Sequence, residues 1–219
     1  MTRPEPGATA TAAKLLELEF EPVLLPCLTI KPRGTKNFPE RPAAIILTSA
    51  QAIPALPENF RQVPCFCVGD ATAAKLRETG FVSVESAAGD AKDLFRLITM
   101  RRIAGPHLLA VGERHGLALA RQLRATGIAV VRRTVYSAQP LRILPAEIRA
   151  ALAGGEIHKA MFYSAETAKA FIRLSPPATA RIDGLALSPA IAEVLKTLPW
   201  RSIRVALAPA EADMLELLK

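Results

Sequence analysis

The fold of this chain is indicated most clearly by one stretch, Val63-Pro64-Cys65-Phe66-Cys67-Val68-Gly69-Asp70-Ala71-Thr72-Ala73-Ala74-Lys75-Leu76-Arg77-Glu78-Thr79-Gly80. A short β-prone apolar run ends at Gly69, and alanine, leucine and charged residues then follow at helical spacing until Gly80. This pattern predicts a strand, a turn and a helix. The first backbone N–H groups of such a helix have no internal partners, so the turn presents donors and a positive dipole end to an anion.

The same unit recurs along the chain, because several apolar runs end in Ser, Thr or Gly and lead into a helical pattern. These runs are Ala44-Ile45-Ile46-Leu47-Thr48-Ser49, His107-Leu108-Leu109-Ala110-Val111-Gly112 and Ala160-Met161-Phe162-Tyr163-Ser164. Short apolar strands that alternate with helices are typical of parallel sheets covered by helices, whose ligands lie outside the carboxyl ends of the strands. We therefore predict an α/β protein whose ligand pocket is built from these turns.

Length and charge limit the class of ligand. The 219 residues suffice for one large domain or two small ones. A net charge of +8 fits nucleic acid, an anionic surface or an acidic small molecule, and simple solubility is the plainest interpretation. Because the basic residues are scattered and aromatic residues make up only 5%, we favour a small polyanion over nucleic acid.

The lengths of the apolar runs indicate the compartment, and the spacing of the cysteines and histidines indicates whether a metal site is present. No apolar run approaches the roughly 20 residues of a membrane helix, and residues 1–6 lack the apolar core of a signal peptide, so we expect a cytoplasmic protein with no membrane partner. Cys27, Cys65 and Cys67 lack the spacing of a zinc site, and the histidines are not spaced as metal ligands. Cys65 and Cys67 would share one face of a strand. We interpret them as packing residues, with a metal or redox role as the alternative.

The chain order predicts two domains, one inserted into the other. Residues 41–132 contain enough strands and helices for a complete parallel domain. The segments 28–40 and 133–142 are linker strands that would pair antiparallel, with a hinge near residues 32–39 where prolines and a glycine cluster. Residues 1–27 and 143–219 then form the other domain. Its first strand is shortened to a few residues, which indicates either a start site set too late or a less stable domain.

Several local motifs together resemble the uroporphyrinogen-III synthase family. They are Thr2-Arg3-Pro4-x-Pro6-Gly7, Leu47-Thr48-Ser49-Ala50-x-Ala52, Val68-Gly69-Asp70-Ala71-Thr72-Ala73, Gly89-Asp90-Ala91, Val135-Tyr136-x-Ala138 and Tyr163-Ser164-Ala165-x-Thr167-Ala168. Their order and spacing carry the resemblance. It implies two flavodoxin-like α/β domains with parallel sheets, joined by a two-stranded linker ladder, with the ligand cleft between them.

The resemblance also implies an activity. The family cyclises hydroxymethylbilane, a linear tetrapyrrole with many carboxylates, to uroporphyrinogen III in heme biosynthesis, with inversion of the last pyrrole ring and loss of water. Such a lyase needs no cofactor and no metal. We expect a monomer that receives its substrate from hydroxymethylbilane synthase and has no nucleic-acid partner.

Tyr136 is the candidate catalytic acid that the resemblance suggests, because a phenol can donate a proton to the departing hydroxyl without carrying charge at neutral pH. The alternative is a tyrosine that packs its ring and ties its hydroxyl to the ladder. The candidate substrate-binding residues are Arg3, Thr48, Ser49, Gly69, Thr72, Gly112, Ser164, Thr167 and Ser188. Helix capping alone would explain any one of the hydroxyls.

Other classes of function stay open at this point. A regulatory or catalytically degenerate relative would bind a tetrapyrrole or another polyanion without turnover. One departure from the family pattern bears on this, because Ser188-Pro189 stands where the family often has a Gly-x-x-Thr turn. A serine N-cap followed by proline still suits a helix start that binds an anion. A periplasmic receptor is disfavoured by the lack of a signal peptide, and nucleic-acid binding ranks third.

Overall fold

The computed structural model describes residues 1–34 and 37–219. The chain forms two compact units, here called unit 1 (residues 1–29 and 139–219) and unit 2 (residues 30–138). The domain boundaries predicted from sequence, at residues 27/28, 40/41, 132/133 and 142/143, stay a prediction. The predicted linker 28–40, with its hinge, includes residues 35 and 36, which lie outside the described residues.

Helices and strands alternate along most of the chain. The α-helices are α1 (Gly7–Glu17), α2 (Asp70–Glu78), α3 (Ala91–Arg101), α4 (Leu117–Ala125), α5 (Ala146–Gly154), α6 (Ala165–Arg173), α7 (Pro189–Leu195) and α8 (Glu211–Glu216). The strands are β1 (Leu28–Pro32), β2 (Ala44–Leu47), β3 (Cys65–Cys67), β4 (Val84–Ser86), β5 (His107–Gly112), β6 (Val130–Pro140), β7 (Lys159–Phe162), β8 (Asp183–Ala186) and β9 (Ser202–Val205). In the described part of the chain, no helix has the length and apolar character to cross a membrane.

The larger sheet has the strand order β1-β6-β5-β2-β3-β4, and β2 to β6 pair in parallel. Both of its faces are buried. Ile45, Cys65 and Cys67 pack in one hydrophobic cluster, and Ile46 and Phe66 pack in the other. Near-continuous apolar strands are expected of a parallel sheet covered on both faces.

The two cysteines of β3 share a face of the sheet, as predicted. Both lie in the same core cluster and are at most 1% exposed. Burial raises the pKa of each thiol to about 12, so both stay protonated at neutral pH. A protonated buried thiol is a poor nucleophile and a poor metal ligand, which supports the packing interpretation.

The antiparallel pairing expected of the two linker segments is present. The Arg33 N–H donates to the Val135 carbonyl at 2.9 Å, and the Leu141 N–H donates to the Cys27 carbonyl at 2.9 Å. Residue numbers rise on one segment as they fall on the other. The apolar sequence of residues 22–30 also predicts a strand, but the structure has a regular strand only from Leu28 onward. Residues 23, 25 and 27 bond instead to the backbone of Met1 and Thr2.

Unit 1 contains the smaller sheet, in which β7, β8 and β9 pair in parallel in that order. An aromatic cluster packs against it. The Phe162 ring lies 5.2 Å from Phe171 and 5.7 Å from Trp200, both edge to face. Aromatic pairs at these distances add to the stabilisation from burial alone.

Met1 and Thr2 precede α1 and bond to two other segments of unit 1. The Met1 ammonium donates to the Val23 carbonyl at 2.8 Å, and the Leu25 N–H donates to the Met1 carbonyl at 2.8 Å. On the other side, Thr2 Oγ1 donates to the Met161 carbonyl at 2.6 Å. Met1 and Thr2 therefore lie between residues 23–27 and β7.

Candidate functional site

The sheet of unit 2 changes direction of winding between β2 and β5. Later strands are added outward from β2 on one side through β3 and β4, and from β5 on the other through β6. In such sheets, ligands bind outside the carboxyl ends of the strands at this point. Thr48 and Ser49 follow β2, and Gly112 ends β5. The structure thus brings these three predicted site residues to one edge.

Tyr136 lies directly beside Gly112. Val111 pairs with Thr134 but Gly112 pairs with Tyr136, so β6 has a bulge at Val135. A Cβ atom on Gly112 would lie 2.7 Å from Cε2 of the Tyr136 ring. Only glycine permits this close approach. The ring is 6% exposed, so packing accounts for its conformation whether or not its hydroxyl meets a substrate.

Arg132 holds the turn that follows β5, a role that sequence reasoning missed. Its guanidinium donates to the carbonyl oxygens of Glu113 and His115 at 2.8 Å each, and to that of Gly112 at 3.3 Å. Glu113 is further paired with Arg33 at 2.8 Å. No sequence signal marks Arg132, because its acceptors are backbone carbonyls of a turn brought near only by the pairing of β5 with β6.

The hydroxyl groups that follow β2 and those in the first turn of α2 differ in whether they bond to the protein itself. Ser49 accepts a hydrogen bond from the Gln51 N–H at 3.3 Å and so caps the 3₁₀ helix at Ala50–Ala55. Thr48 and Thr72 are half-buried, and their hydroxyls make no hydrogen bond within the described ranges 1–34 and 37–219. These two threonines can therefore donate to an oxygen of a bound molecule.

Gly69 leaves the start of α2 open. A Cβ atom built on Gly69 would meet no atom of the described residues within 4 Å, and the Gly69 backbone is extended with φ −141°. Glycine is therefore not needed here for conformation or for packing inside the protein. The open space above the helix start lets a ligand approach the backbone closely.

In unit 1, the hydroxyls of Ser164 and Thr167 bond to each other. Ser164 Oγ accepts from the Thr167 N–H at 3.1 Å and lies 2.7 Å from Thr167 Oγ1. Because Thr167 is only 1% exposed, this pair is an internal cap of α6 rather than an open donor set. Ser188 precedes α7 as N-cap, with Pro189 as the first helical residue, but its side chain makes no capping hydrogen bond.

The Arg3 guanidinium already has partners within unit 1. Its guanidinium lies 4.3 Å from the centroid of the Tyr163 ring and donates to Thr11 Oγ1 at 2.8 Å and to Glu211 Oε1 at 3.2 Å. Lys14 also forms an ion pair with Glu211. The predicted binding residue Arg3 is therefore already neutralised in this structure. Any contact with a substrate carboxylate would have to compete with Glu211.

Burial and hydrogen bonding shift the pKa values in this cluster in opposite directions. For Glu211, burial acts to raise the pKa, but the hydrogen bonds from Lys14 and Thr11 outweigh it and the net pKa is lowered. Burial raises the pKa of Tyr163.

Tyr163 stands immediately before Ser164 in the quoted motif, so the sequence offered a local signal for it. Glu211 had none, because it is 208 residues away from Arg3.

No cluster of three or more His, Cys, Asp or Glu side chains with the arrangement of a metal site occurs among residues 1–34 and 37–219. The groups at the strand ends are hydroxyls, backbone N–H groups and one phenol. Such groups bind anionic oxygens and can transfer a single proton.

These features define the class of protein. It has two α/β units with parallel sheets and carries glycine and hydroxyl-bearing turns at the carboxyl ends of the strands. The family model described as uroporphyrinogen-III synthase HemD matches residues 9–216, and the chain therefore belongs to the uroporphyrinogen-III synthase family. The resemblance found in the motifs is confirmed.

Two solved structures share the fold. Uroporphyrinogen-III synthetase from Helicobacter pylori 26695 superposes with a TM-score of 0.68 at 20% identity, covering 89% of this chain and 90% of that one. A mutant uroporphyrinogen III synthase from the extremely thermophilic bacterium Thermus thermophilus gives 0.57 at 17% identity, covering 100% and 97%. They confirm the predicted α/β fold with parallel sheets. No curated protein matches this chain in sequence.

Proposed function

We propose that this chain is an active uroporphyrinogen-III synthase, a lyase that cyclises hydroxymethylbilane to uroporphyrinogen III with inversion of the last pyrrole ring. The observation that carries the proposal is the family match over residues 9–216. The protein would act in heme and porphyrin biosynthesis as a cytoplasmic monomer without cofactor or metal, and would receive its substrate from hydroxymethylbilane synthase.

The open groups of unit 2 suit a polycarboxylate substrate. Thr48 and Thr72 have hydroxyls with no protein partner among the described residues, and Gly69 leaves room above the first turn of α2. The positive end of the α2 dipole and the net charge of +8 both attract carboxylates. In this proposal the acetate and propionate groups bind at these strand ends. Ser188, at the start of α7 in unit 1, stays a separate candidate binding residue.

The reaction needs one proton at its first step. The terminal hydroxyl of the bilane leaves as water after it takes up a proton, and an electrophilic azafulvenium cation remains. The substituted carbon of the last ring attacks it to give a spiro intermediate, which fragments and recloses with that ring inverted. A proton lost from carbon at the end restores the acid. The net change is the loss of one water molecule.

Tyr136 is the residue we assign to this proton transfer. A phenol can donate a proton or a hydrogen bond and can also accept a hydrogen bond. The Tyr136 ring packs directly against Gly112, and the Arg132 guanidinium donates a hydrogen bond to the Gly112 carbonyl. Because the bilane closes without inversion when no enzyme is present, the rest of the catalysis is conformational restraint of the substrate.

The test is to supply freshly made hydroxymethylbilane to the purified protein and to separate the type I and type III isomers after oxidation. Predominantly type III product is expected. Exclusively type I product, as in buffer, would leave the family membership standing and assign the protein to the non-catalytic binding class.

The two tyrosines of this chain provide a matched test of the acid. Tyr136→Phe should lower kcat by about 10²- to 10⁴-fold, the usual contribution of a general acid, with little change in Tm. Tyr163→Phe keeps the ring under Arg3 and should retain kcat within about 3-fold, since no acid role is assigned to it. Equal kcat for Tyr136→Phe and the wild type would mean that Tyr136 only packs its ring.

A further inference from the structure

Unit 1 contains a set of donors that binds a carboxylate, and the carboxylate it holds is the protein's own Glu211. Glu211 Oε1 accepts hydrogen bonds from Thr11 Oγ1 at 2.6 Å and from Arg3 Nη1 at 3.2 Å. Its Oε2 forms an ion pair with Lys14. The Thr11 hydroxyl is buried and also accepts a hydrogen bond from Arg3 at 2.8 Å, so it is oriented as a donor toward Glu211. A carboxylate group of a ligand would find the same donors here.

The bond between Arg3 and Glu211 uses only part of the guanidinium. Arg3 meets Glu211 through Nη1 alone, and among the described residues Nε and Nη2 donate to no acceptor. A guanidinium binds a carboxylate most strongly through two parallel hydrogen bonds. Arg3 therefore holds Glu211 less strongly than such a pair would, and another carboxylate can exchange with it.

The charges of this cluster leave room for a second carboxylate. Arg3 and Lys14 both pair with Glu211, and neither forms an ion pair with any other carboxylate of the described residues. Two cations thus share one carboxylate. A ligand carboxylate bound to Arg3, with Glu211 still paired to Lys14, would bring the charges of the cluster into balance.

The cluster lies at the edge of the smaller sheet where the strands have their carboxyl ends. Arg3 packs over the ring of Tyr163, the residue that follows β7, and Glu211 begins α8, which follows β9. Ligands of α/β proteins bind outside this edge. The side chains of Arg3 and Glu211 are 28% and 29% exposed, so a carboxylate can approach them from solvent.

Glu211 can leave Arg3 while its helix stays in place. Met214 on α8 is fully buried in a hydrophobic cluster and anchors the helix, whereas residues 207–210 before Glu211 are exposed. Rotation about the side-chain bonds of Glu211 would therefore be enough to release Arg3. Lys14 is exposed and has a flexible stem, so it can stay paired with the rotated carboxylate.

We propose that Arg3 and Thr11 bind one carboxylate of the ligand, and that Glu211 is an internal competitor, so that Arg3 binds the ligand only in the state in which Glu211 has released it. Such a competitor lowers the apparent affinity for the ligand by the fraction of molecules in which Arg3 is released. The inference deepens the proposed function and rests on it for the identity of the ligand, a tetrapyrrole with several carboxylates.

The test measures the dissociation constant of uroporphyrin III, the oxidised and fluorescent form of the proposed product, by fluorescence titration at one fixed ionic strength. Glu211→Gln should lower this Kd by about fivefold, because it removes the competing charge. Glu216→Gln is the matched control, since it makes the same charge change on the same helix but affects only an exposed pair with Lys219. Equal Kd values for these two variants, or no binding by any variant, would overturn the proposal.

A double-mutant cycle tests whether Glu211 acts through Arg3. Arg3→Gln should raise Kd by about tenfold, and adding Glu211→Gln to it should then change Kd by less than about twofold. Gly7→Ala provides a second way to remove the contact, because a Cβ atom there would lie 2.6 Å from Arg3 Nη2 and displace the guanidinium. It should also raise Kd. If Glu211→Gln tightens binding equally with and without Arg3, its effect is a long-range charge effect and the proposal is wrong.

Two further readouts separate this inference from a structural role and from the proposed function. A purely structural Glu211 predicts that Glu211→Gln lowers Tm without tightening binding. Type III product in the isomer assay, together with equal Kd values for Glu211→Gln and the wild type, would leave the activity standing and reject the internal competitor. Only type I product, together with tighter binding by Glu211→Gln, would reject the activity and leave the carboxylate site in a non-catalytic tetrapyrrole-binding protein.

Discussion

The strand ends of unit 1 and unit 2 carry the same kinds of residue, but among the described residues unit 2 leaves more of their hydroxyls without a protein partner. In unit 2, the hydroxyls of Thr48 and Thr72 have no partner among the described residues. In unit 1, Ser164 is bonded to Thr167, and Arg3 is bonded to Glu211. The difference teaches that a strand-end hydroxyl or cation indicates a ligand contact only where the surrounding elements leave it unoccupied. Substitutions can test that distinction directly.

The largest effect is expected from Gly112→Ala at the unit 2 edge. The added Cβ would lie 2.7 Å from the ring of Tyr136, which is buried and has little room to move. Overpacking of this kind costs about 1–3 kcal/mol of the free energy of unfolding. We also expect kcat to fall, because the phenol is displaced. Urea unfolding and the isomer assay measure the two effects.

Gly34→Ala is the control for that substitution, since a Cβ on Gly34 would meet no atom of the described residues within 4 Å. It should leave both stability and kcat close to those of the wild type. If Gly112→Ala behaves as Gly34→Ala does, the contact between Gly112 and Tyr136 does not position the phenol.

The next largest effect is expected at Arg3, the cation of unit 1 that is paired with Glu211. Glu211→Gln leaves Arg3 and Lys14 without a carboxylate and should cost about 1–2 kcal/mol of stability, a value reduced because both cations are partly exposed. Glu216→Gln removes only an exposed pair with Lys219 and should cost less than about 0.5 kcal/mol. Equal unfolding midpoints for the two variants would show that the Glu211 cluster is no more than a surface ion pair.

Acid should weaken unit 1 through Asp183 at the amino end of β8. Hydrogen bonds from Arg201 and Ser202, together with the Arg201 charge, lower its pKa from 3.8 to about 2 in the folded state. A lowered folded-state pKa means that this stabilisation is fully present above about pH 4 and is lost as pH falls toward 2. Asp183→Asn should therefore be less stable at neutral pH, by about 2–4 °C in Tm, and should lose less stability between pH 4 and pH 2. A parallel pH dependence in variant and wild type would contradict this assignment.

The smallest effects compare two hydroxyls directly. Ser164→Ala removes the N-cap of α6 and should cost about 1 kcal/mol of stability. Thr72→Val removes a hydroxyl that bonds to no described residue, so stability should change by less than about 0.5 kcal/mol while KM rises. Chemical denaturation and steady-state kinetics separate the two outcomes. If Ser164→Ala is as stable as the wild type but has a raised KM, then Ser164 binds substrate and does not mainly cap α6.

Much of the fold could be predicted because it depends on local pattern. The run from Cys65 to Gly80 alternates apolar strand, glycine turn and helix, and the structure contains β3 and α2 there. The same-face placement of Cys65 and Cys67 followed from the two-residue period of a strand. The strand predicted over residues 22–30 was wrong in its extent, since only Leu28 and the residues after it form a regular strand.

The candidate site could be predicted only in part, because a residue type does not reveal its partner. Gly112 and Tyr136 were both proposed, but their contact depends on the bulge in β6. Arg132 and Glu211 were missed, since each meets its partners only after distant segments pack together. Arg3 was proposed as a substrate-binding residue, and its pairing with Glu211 could not be read from a stretch of sequence.

The sequence alone determined the α/β class, the family and the positions of the strand-end turns, since these depend on hydrophobic periodicity, turn residues and motif order along the chain. Tertiary structure decided which of those turns are open, where the Tyr136 ring lies and that Glu211 pairs with Arg3. The physical reason is that propensity and periodicity act between near neighbours, whereas hydrogen-bond partners and cavities arise from segments far apart in sequence.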